Sequence, residues 1–260
     1  MPMPSARHEA NRFTTADGFA HAWYELGGDA GPAIILQHGF SANTLSEWVD
    51  CGIAAALARN GRRVIGLDAL GHGASDKPHE ARHYGEARMA RDITTLADHL
   101  GLESFDLLGY SMGAIVALLV ALEDRRLRRL VIGGVGEAVV DLGGVDTRVL
   151  DNRVLAEGLR ARDVSSYPDL VRNFRAGVLE RGGDLLAHAA QADAVHATPM
   201  PLERIGVPTL LIAGVDDPLA RHPERLVAAI PVARLALVPG DHVGARLDPA
   251  FTHEAIAFLA

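Results

Sequence analysis

Six short apolar segments, each bounded by Gly, Pro or Asp, constrain the fold of this 260-residue chain more than any other feature. The segments lack polar alternation, which is typical of strands that are buried on both faces of a parallel sheet. Helix-length segments separate the first four, and this alternation predicts an α/β fold with right-handed crossovers. The predicted strands span residues 33–37, 64–67, 105–108, 130–132, 209–213 and 235–238, and the predicted helices between the first four span residues 47–60, 85–100 and 111–122.

Two further patterns add elements at the ends of the chain. Asp17-Gly18 is a hairpin turn signal, and it separates two strand-like segments, residues 12–15 and 20–26. At the other end, residues 249–259 have the amphipathic pattern of a helix. We therefore expect a hairpin beside the parallel sheet and a helix as the last element.

One long interval interrupts the alternation of strands and helices. Residues 133–208 contain no convincing strand, and helical patterning covers residues 150–162, 170–181 and 185–194. A helical stretch of this length between two strands is typical of an insertion rather than of a crossover. We predict one α/β core, residues 1–136 and 202–260, with a helical cap, residues 137–201, inserted before the penultimate strand.

The composition limits the class of protein. With 48% apolar and 22% charged residues, the chain can bury a sizeable core, which excludes a disordered protein. Cys51 is the single cysteine, so the chain cannot form a disulfide scaffold. The net charge of −8 gives no basic footprint for nucleic acid, and no apolar run approaches the roughly 20 residues that span a bilayer.

These limits predict a cytoplasmic protein, a monomer or a homodimer, that binds neither nucleic acid nor a membrane. The first residues, Met1 to Glu9, contain no apolar segment of the kind that forms a secretory signal.

The segment Gly109-Tyr110-Ser111-Met112-Gly113 matches the pattern G-x-S-x-G. The bare pattern is weak, but here a predicted strand runs into it and an apolar helix leaves it. A nucleophile elbow requires this setting, because glycines on both sides permit the sharp turn that exposes the serine. The start of the helix also brings backbone N–H groups near a developing oxyanion. Ser111 is therefore the predicted nucleophile.

A serine nucleophile needs a base that is itself oriented by an acid, and the hydrolase order along the chain is Ser, acid, His. Asp216 and Asp217 follow the fifth of the six apolar strands, and His242 follows the sixth. Because parallel strands end at one edge of a sheet, these side chains should converge on Ser111. Turn chemistry accounts for Asp216 better than for Asp217, but either aspartate is open as the acid.

These residues and two further motifs make the chain resemble the serine-nucleophile α/β-hydrolases over nearly its whole length. Residues 38–40 (HGF) follow the first apolar strand, and residues 68–75 (DALGHGAS) follow the second. Family members typically carry H-G-x and D-x-x-G-H-G-x-S at these two places. Leu70 differs from this pattern, since the family often has arginine or another polar residue there. The difference would affect the rim of the pocket and leaves the triad unchanged.

The resemblance implies the α/β-hydrolase fold: a mostly parallel central sheet with helices on both faces and a helical lid. It also implies a catalytic triad of Ser111, Asp217 and His242, because the family's acid usually stands three residues after the glycine that ends the strand. The backbone N–H groups of Phe40 and Met112 are implied to bind the oxyanion.

Three nearby side chains are candidates for contact with substrate, namely His38, Tyr110 and Trp48. Two of them have structural explanations as well. His38 belongs to a motif that shapes a loop, and Trp48 lies on the first predicted helix, where an aromatic side chain is typical of the core.

The activity that the resemblance implies is hydrolysis of a small or medium carboxylic ester or lactone through an acyl-enzyme. Neither a metal nor an organic cofactor is expected. Related dehalogenases and epoxide hydrolases have an aspartate in place of Ser111, which argues against alkyl-enzyme chemistry. Two alternatives stay open. One is carbon–carbon bond hydrolysis, thioester cleavage or perhydrolysis on the same residues, and the other is a hydrolase-like receptor for a small molecule.

Residues 79–83 (HEARH) match the zinc-protease pattern H-E-x-x-H. That chemistry needs both histidines on one helix face. Pro78 precedes the segment and Gly85 follows it, and so short a helix is marginal. We therefore predict a loop here and no metal site.

Overall fold

An eight-stranded sheet runs through the residues that the computed structural model describes, 8–28 and 30–260. The strands are β1 (Asn11–Thr14), β2 (Ala20–Gly27), β3 (Ala33–Gln37), β4 (Arg63–Leu67), β5 (Phe105–Tyr110), β6 (Leu127–Gly133), β7 (Thr209–Gly214) and β8 (Ala233–Val238). Their order across the sheet is β1-β2-β4-β3-β5-β6-β7-β8. The pairs β1–β2 and β2–β4 are antiparallel, and all the other neighbours are parallel.

Helices cover both faces of this sheet, as the resemblance implied. The α-helices of the described residues are α1 (Ile53–Arg59), α2 (Glu86–His99), α3 (Met112–Glu123), α4 (Glu137–Leu142), α5 (Asn152–Arg160), α6 (Asp169–Glu180), α7 (Leu185–Asp193), α8 (Pro223–Ala229), α9 (Gly244–Leu247) and α10 (Pro249–Leu259). The α/β-hydrolase fold predicted from the sequence is confirmed, and each predicted strand is present, most of them longer by one to four residues.

Strand β3 illustrates why the core strands are mostly apolar. Ile34 and Leu36 point to the face that is covered by α1 and α10, whereas Ile35 points to the face covered by α2 and α3. All three side chains are fully buried. Because successive side chains of a strand alternate between faces, a sheet covered on both sides favours apolar residues on both, and the polar Gln37 stands at the end of the strand.

The predicted helix over residues 47–60 is wrong as a single element. Residues Leu45–Val49 form one wide π-type turn, and α1 begins only at Ile53. Gly52 separates the two with φ of 81°, a left-handed conformation that glycine adopts readily and that ends a helix. Three short helices, α4, α8 and α9, were not predicted, because four to seven residues hold too little of a 3.6-residue period to detect.

Helices α4 to α7 lie between β6 and β7, where the sequence predicted the cap. Helices α5, α6 and α7 share an apolar cluster of their own, formed by Leu155, Ala156, Leu159, Val178, Ala189 and Ala192. Helix α4 instead packs against α8, where Arg225 pairs with Glu137 and Asp141 at 2.6 and 2.8 Å. The predicted cap boundaries, residues 137 and 201, stay predictions.

None of the helices in the described ranges is long and apolar enough to cross a membrane. Residues 1–7, on which the prediction about a secretory signal mostly depends, lie outside those ranges.

The loop that follows β4 is organised by the buried carboxylate of Asp68. Its Oδ1 accepts the Thr44 N–H at 2.8 Å, and its Oδ2 accepts the Ala74 N–H at 2.8 Å and the Tyr24 hydroxyl at 3.0 Å. The Ser75 hydroxyl donates to the Asp68 carbonyl at 2.6 Å. The first and last residues of the motif in residues 68–75 are therefore the groups that hold this loop to its neighbours.

We expect Asp68→Asn to lower the free energy of unfolding by about 2–3 kcal/mol. The amide NH₂ of asparagine would face a backbone or hydroxyl donor whose hydrogen bond the carboxylate now accepts, and that donor would lose its partner. Chemical denaturation measures the difference. The control is Asp98→Asn, where a side chain 65% exposed pairs with Arg126 and where we expect at most about 1 kcal/mol. An Asp68→Asn effect as small as that of the control would contradict the prediction.

A second buried carboxyl makes the stability depend on pH. Glu86 begins α2 and accepts the His196 N–H at 2.6 Å. Burial raises its pKa from 4.5 to about 7. The stability that the neutral carboxyl contributes is therefore fully present below pH 4.5 and is lost as the pH rises to about 7, because the unfolded chain ionises first.

Glu86→Gln should accordingly gain stability relative to the parent protein as the pH rises from 4.5 to 7, by an amount on the order of 3 kcal/mol. Urea denaturation at several pH values measures this difference, with Glu103→Gln at an exposed position as the control for the substitution itself. A difference between Glu86→Gln and the parent that is independent of pH would contradict the prediction.

Candidate active site

Three loops that follow parallel strands bring the predicted site residues to one edge of the sheet. Ser111 follows β5, Asp217 follows β7 and His242 follows β8. These strands run parallel, with β6 between β5 and β7. The carboxyl edge of such a sheet is where α/β proteins bind their ligands.

The turn from β5 into α3 is tight, and its backbone is strained. Ser111 has φ of 55° and ψ of −118°, a conformation that residues other than glycine rarely adopt. A Cβ added to Gly109 would lie 2.1 Å from the Gly113 carbonyl oxygen, and one added to Gly113 would lie 2.2 Å from that of Gln37. Both glycines of the G-x-S-x-G pattern are thus required by close backbone contact, and the serine between them is partly exposed.

The imidazole of His242 is oriented by Asp217. His242 Nδ1 lies 2.8 Å from Asp217 Oδ2, and the Leu219 N–H donates to Asp217 Oδ1 at 2.8 Å. A carboxylate only accepts, so Nδ1 carries the proton and Nε2 has a free lone pair. Asp217 is buried, whereas Asp216 is exposed, and it is Asp217 that makes the contact with the histidine.

Ser111 lies beside the loop that follows β3. A Cβ added to Gly39 would lie 3.3 Å from Ser111 Cβ, so this loop passes close to the serine at a residue without a side chain. Across the turn, His242 Cε1 lies 2.9 Å from the Cβ position of Gly134. Within the described residues, Ser111 Oγ makes no hydrogen bond to His242. Such bonds are often loose without substrate and tighten in the complex.

Two backbone N–H groups near Ser111 are available to a ligand. Phe40 follows Gly39, which touches the serine, and Met112 is the first residue of α3. In the portion of the chain that is described, neither N–H donates to another backbone carbonyl. The N–H of a first helical residue has no partner inside its helix, so Met112 adds the favourable end of a helix dipole.

The three candidates for substrate contact are all buried, and two of them make hydrogen bonds within the protein. His38 donates from Nδ1 to the Gly39 carbonyl at 2.8 Å and accepts the Ala69 N–H on Nε2 at 3.0 Å. The Tyr110 hydroxyl donates to the His242 carbonyl at 2.7 Å. Trp48 is fully buried in the core on the α1 side of the sheet. Contact of these side chains with substrate stays a prediction.

Burial, together with the negative charges of Asp217 and Glu47, raises the pKa of Tyr110 far above its ordinary value. Its hydroxyl therefore keeps its proton and its hydrogen bond to the His242 carbonyl over the whole working pH range.

Several side chains around this edge were missed by the sequence analysis. The ring of Phe40 contacts Phe174 of α6 and His188 of α7, with centroids 5.8 and 5.4 Å apart. His188 also lies 4.4 Å from the ring of His72, and burial lowers the pKa of His188 to about 4. The helices between β6 and β7 therefore cover the loop that follows β3. No motif connects these residues along the chain, and only the fold brings them together.

An ion pair below the site was also missed. Glu47 and Arg246 are 199 residues apart, yet Arg246 Nε lies 2.5 Å from Glu47 Oε1. No sequence motif includes either residue, so no local signal could have identified them.

The H-E-x-x-H segment has no α-helix in the structure. Residues Ala81–His83 form one 3₁₀ turn, and His79 Nε2 bonds to Asp184 Oδ2 at 3.0 Å. Within residues 8–28 and 30–260, no group of three or more His, Cys, Asp or Glu side chains is arranged to hold a metal.

Comparison with known proteins identifies the fold family. A family model described as alpha/beta hydrolase fold matches residues 32–139. The crystal structure of a hydrolase from Pseudomonas aeruginosa PA01 is 30% identical, over 98% of this chain and 100% of that chain, with a TM-score of 0.80. The enol-lactonase from Burkholderia xenovorans LB400 is 22% identical over 96% and 99% of the two chains, with a TM-score of 0.76.

Among curated proteins, the 2-hydroxy-6-oxo-2,4-heptadienoate hydrolase of Pseudomonas putida is 27% identical over 230 residues, which cover 83% of this chain and 82% of that protein. The P. aeruginosa hydrolase is matched over its whole length at 30% identity, and the TM-score shows that the two chains share a fold. On these grounds, this chain belongs to the alpha/beta hydrolase fold family.

Proposed function

We propose that this chain is a serine hydrolase that cleaves a small or medium carboxylic ester or lactone through an acyl-enzyme. The observation that carries the proposal is the 2.8 Å bond between Asp217 and His242 at the sheet edge where the strained turn exposes Ser111. An oriented imidazole and an exposed serine at a nucleophile elbow are the parts that acyl transfer requires.

In the proposed reaction, Ser111 Oγ attacks the substrate carbonyl carbon while His242 Nε2 takes the hydroxyl proton. Asp217 holds the imidazole in the tautomer that can accept this proton and stabilises the imidazolium that forms. The N–H groups of Phe40 and Met112 bind the oxyanion, and each such donor is worth about 2.7–4 kcal/mol in other hydrolases. The imidazolium then protonates the departing alcohol. Water, deprotonated by the same imidazole, releases the acid and restores Ser111.

We further propose that residues 137–201 act as a cap that shapes the substrate pocket. The support is the contact of Phe174 and His188 with Phe40, whose N–H is a proposed oxyanion donor. Aromatic rings on that side favour an apolar acyl or alcohol group. The substrate is then a small molecule, and the proposed reaction needs no cofactor.

A second candidate is hydrolysis of a carbon–carbon bond on the same residues. The specific observation in its favour is the similarity to the 2-hydroxy-6-oxo-2,4-heptadienoate hydrolase over four-fifths of both chains. A carbonyl next to the bond to be broken would bind where the ester carbonyl binds.

We expect purified protein to turn over nitrophenyl esters or lactones repeatedly, and Ser111→Ala to lower kcat by about 10⁴- to 10⁶-fold with the fold intact by circular dichroism. The assay uses esters of graded chain length, several lactones and a 6-oxo-2,4-dienoate. A preference for the dienoate would select the second candidate. An unchanged rate in folded Ser111→Ala would exclude both.

The acid can be tested with two neighbouring variants. Asp217→Asn should lower kcat by about 10³- to 10⁴-fold, because an amide stabilises the wrong imidazole tautomer. Asp216→Asn, at the exposed neighbouring position, is the matched control and should keep the parent kcat. The opposite result, with activity lost only in Asp216→Asn, would reassign the acid.

A further inference from the structure

The ion pair between Glu47 and Arg246 lies almost entirely inside the protein. The two side chains are 7% and 11% exposed, and Arg246 Nε lies 2.5 Å from Glu47 Oε1. A second bond joins the same residues, because Arg246 Nη1 donates to the Glu47 backbone carbonyl at 2.8 Å. The guanidinium therefore holds both the side chain and the main chain of Glu47.

Glu47 lies against the loop that follows β3. Its Oε2 is 3.8 Å from the Cβ position of Gly39, and the same position is 3.3 Å from Ser111 Cβ. Gly39 directly precedes Phe40, the proposed oxyanion donor. Glu47 Oε2 and Ser111 Cβ therefore border the same space beside the Gly39 backbone, next to Phe40 in the chain.

Arg246 lies one helical turn after His242, on the short helix α9. Its Cζ is 6.0 Å from the centre of the Tyr110 ring, and the Tyr110 hydroxyl donates to the His242 carbonyl at 2.7 Å. The guanidinium is thus joined to the histidine loop along the chain and through Tyr110, the residue that precedes Ser111. The ion pair connects this loop to the loop that carries Phe40.

Stability alone does not account for an ion pair in this position. Removing two charges from water has a large desolvation penalty, and well-packed neutral residues of similar volume are often equally stable or more so. Unlike neutral side chains, the pair supplies directional charged hydrogen bonds, and these fix the position of one segment relative to the other.

We propose that Glu47 and Arg246 are positioning residues. They hold the Phe40 N–H and the His242 imidazole in the relative positions that these groups need around Ser111. This inference rests on the proposed function, since it assigns a role within that reaction. Neither side chain touches the reacting atoms. The pair should therefore act on the transition state, in which both loops must engage one carbonyl group, more than on the binding of the ester.

We expect Arg246→Met to lower kcat about 10- to 100-fold with KM changed less than about threefold, because a displacement near 1 Å has an effect of that size. The same variant leaves Glu47 buried without its partner and should lower Tm. The decisive variant is the double substitution E47Q/R246M. It removes both charges, so its Tm should return towards that of the parent while kcat stays at least about tenfold lower.

An equally buried ion pair elsewhere provides the matched control. Arg62 and Asp106 form a hydrogen-bonded pair with side chains 7% and 0% exposed. Asp106 is five residues before Ser111 on β5, which puts it about 16 Å away at the opposite end of the sheet. The double substitution R62M/D106N also removes both charges of a buried pair, so we expect its Tm to stay near that of the parent and its kcat to equal the parent value.

Arg246→Lys tests the same role with a more conservative change, in case Arg246→Met does not fold. Lysine keeps the charge beside Glu47, so we expect Tm within about 2 °C of the parent. Its ammonium is a single point of donation on a flexible stem and cannot reproduce the fixed spacing of the Nε and Nη1 bonds, so we expect kcat lowered at least about fivefold. An unchanged kcat in Arg246→Lys would overturn the positioning role. So would a double variant E47Q/R246M in which kcat recovers together with Tm.

Ser111→Ala in the same ester assay separates the two levels of the proposal. If Ser111→Ala is inactive and E47Q/R246M has the parent kcat, only the positioning role is overturned. If folded Ser111→Ala keeps its activity, the proposed function is overturned, and the positioning role with it.

Discussion

The turn between β5 and α3 depends on direct contact between backbone segments that carry no side chains. Gly109 packs against the backbone of Gly113, and Gly113 packs against the end of β3. This contact forces Ser111 into its strained conformation and brings the loop after β3 alongside it. A side chain at Gly109 would push α3 away from β5, and one at Gly113 would push α3 away from the end of β3. Either change would move Ser111.

The buried polar side chains of the structure have different roles, although each is buried and hydrogen-bonded. Asp68 satisfies backbone donors of two loops and holds the chain after β4 in place. Asp217 contacts the His242 imidazole with one carboxylate oxygen and accepts the Leu219 N–H with the other. The Glu47–Arg246 pair joins the π-type turn of Leu45–Val49 to α9, and its two residues are 199 positions apart in the sequence. Desolvation penalises each of these groups, so their presence near the sheet edge indicates that geometry there matters more than maximal stability.

Much of the fold could be predicted from the sequence, because burial on both faces gives each core strand a run of consecutive apolar residues, as in β3 and β7. The prediction of helices failed where a single residue or a very short segment determines the local structure. Gly52 divides one predicted helix into two elements, and α9 has only four residues. For the site, local motifs predicted Ser111 and His242. Turn chemistry alone left both aspartates open, and the resemblance implied Asp217, which is the aspartate that contacts His242 in the structure.

By itself, the sequence determined the order of strands and helices, the nucleophile turn and the family to which the chain belongs. These features depend on neighbouring residues, whose pattern reports burial and turn geometry directly. Only the tertiary structure decided that Asp217 rather than Asp216 contacts His242, that His38 and Trp48 are buried, and that Glu47 meets Arg246. Each of these facts depends on how distant segments approach each other across the sheet, and a local pattern carries no information on that approach.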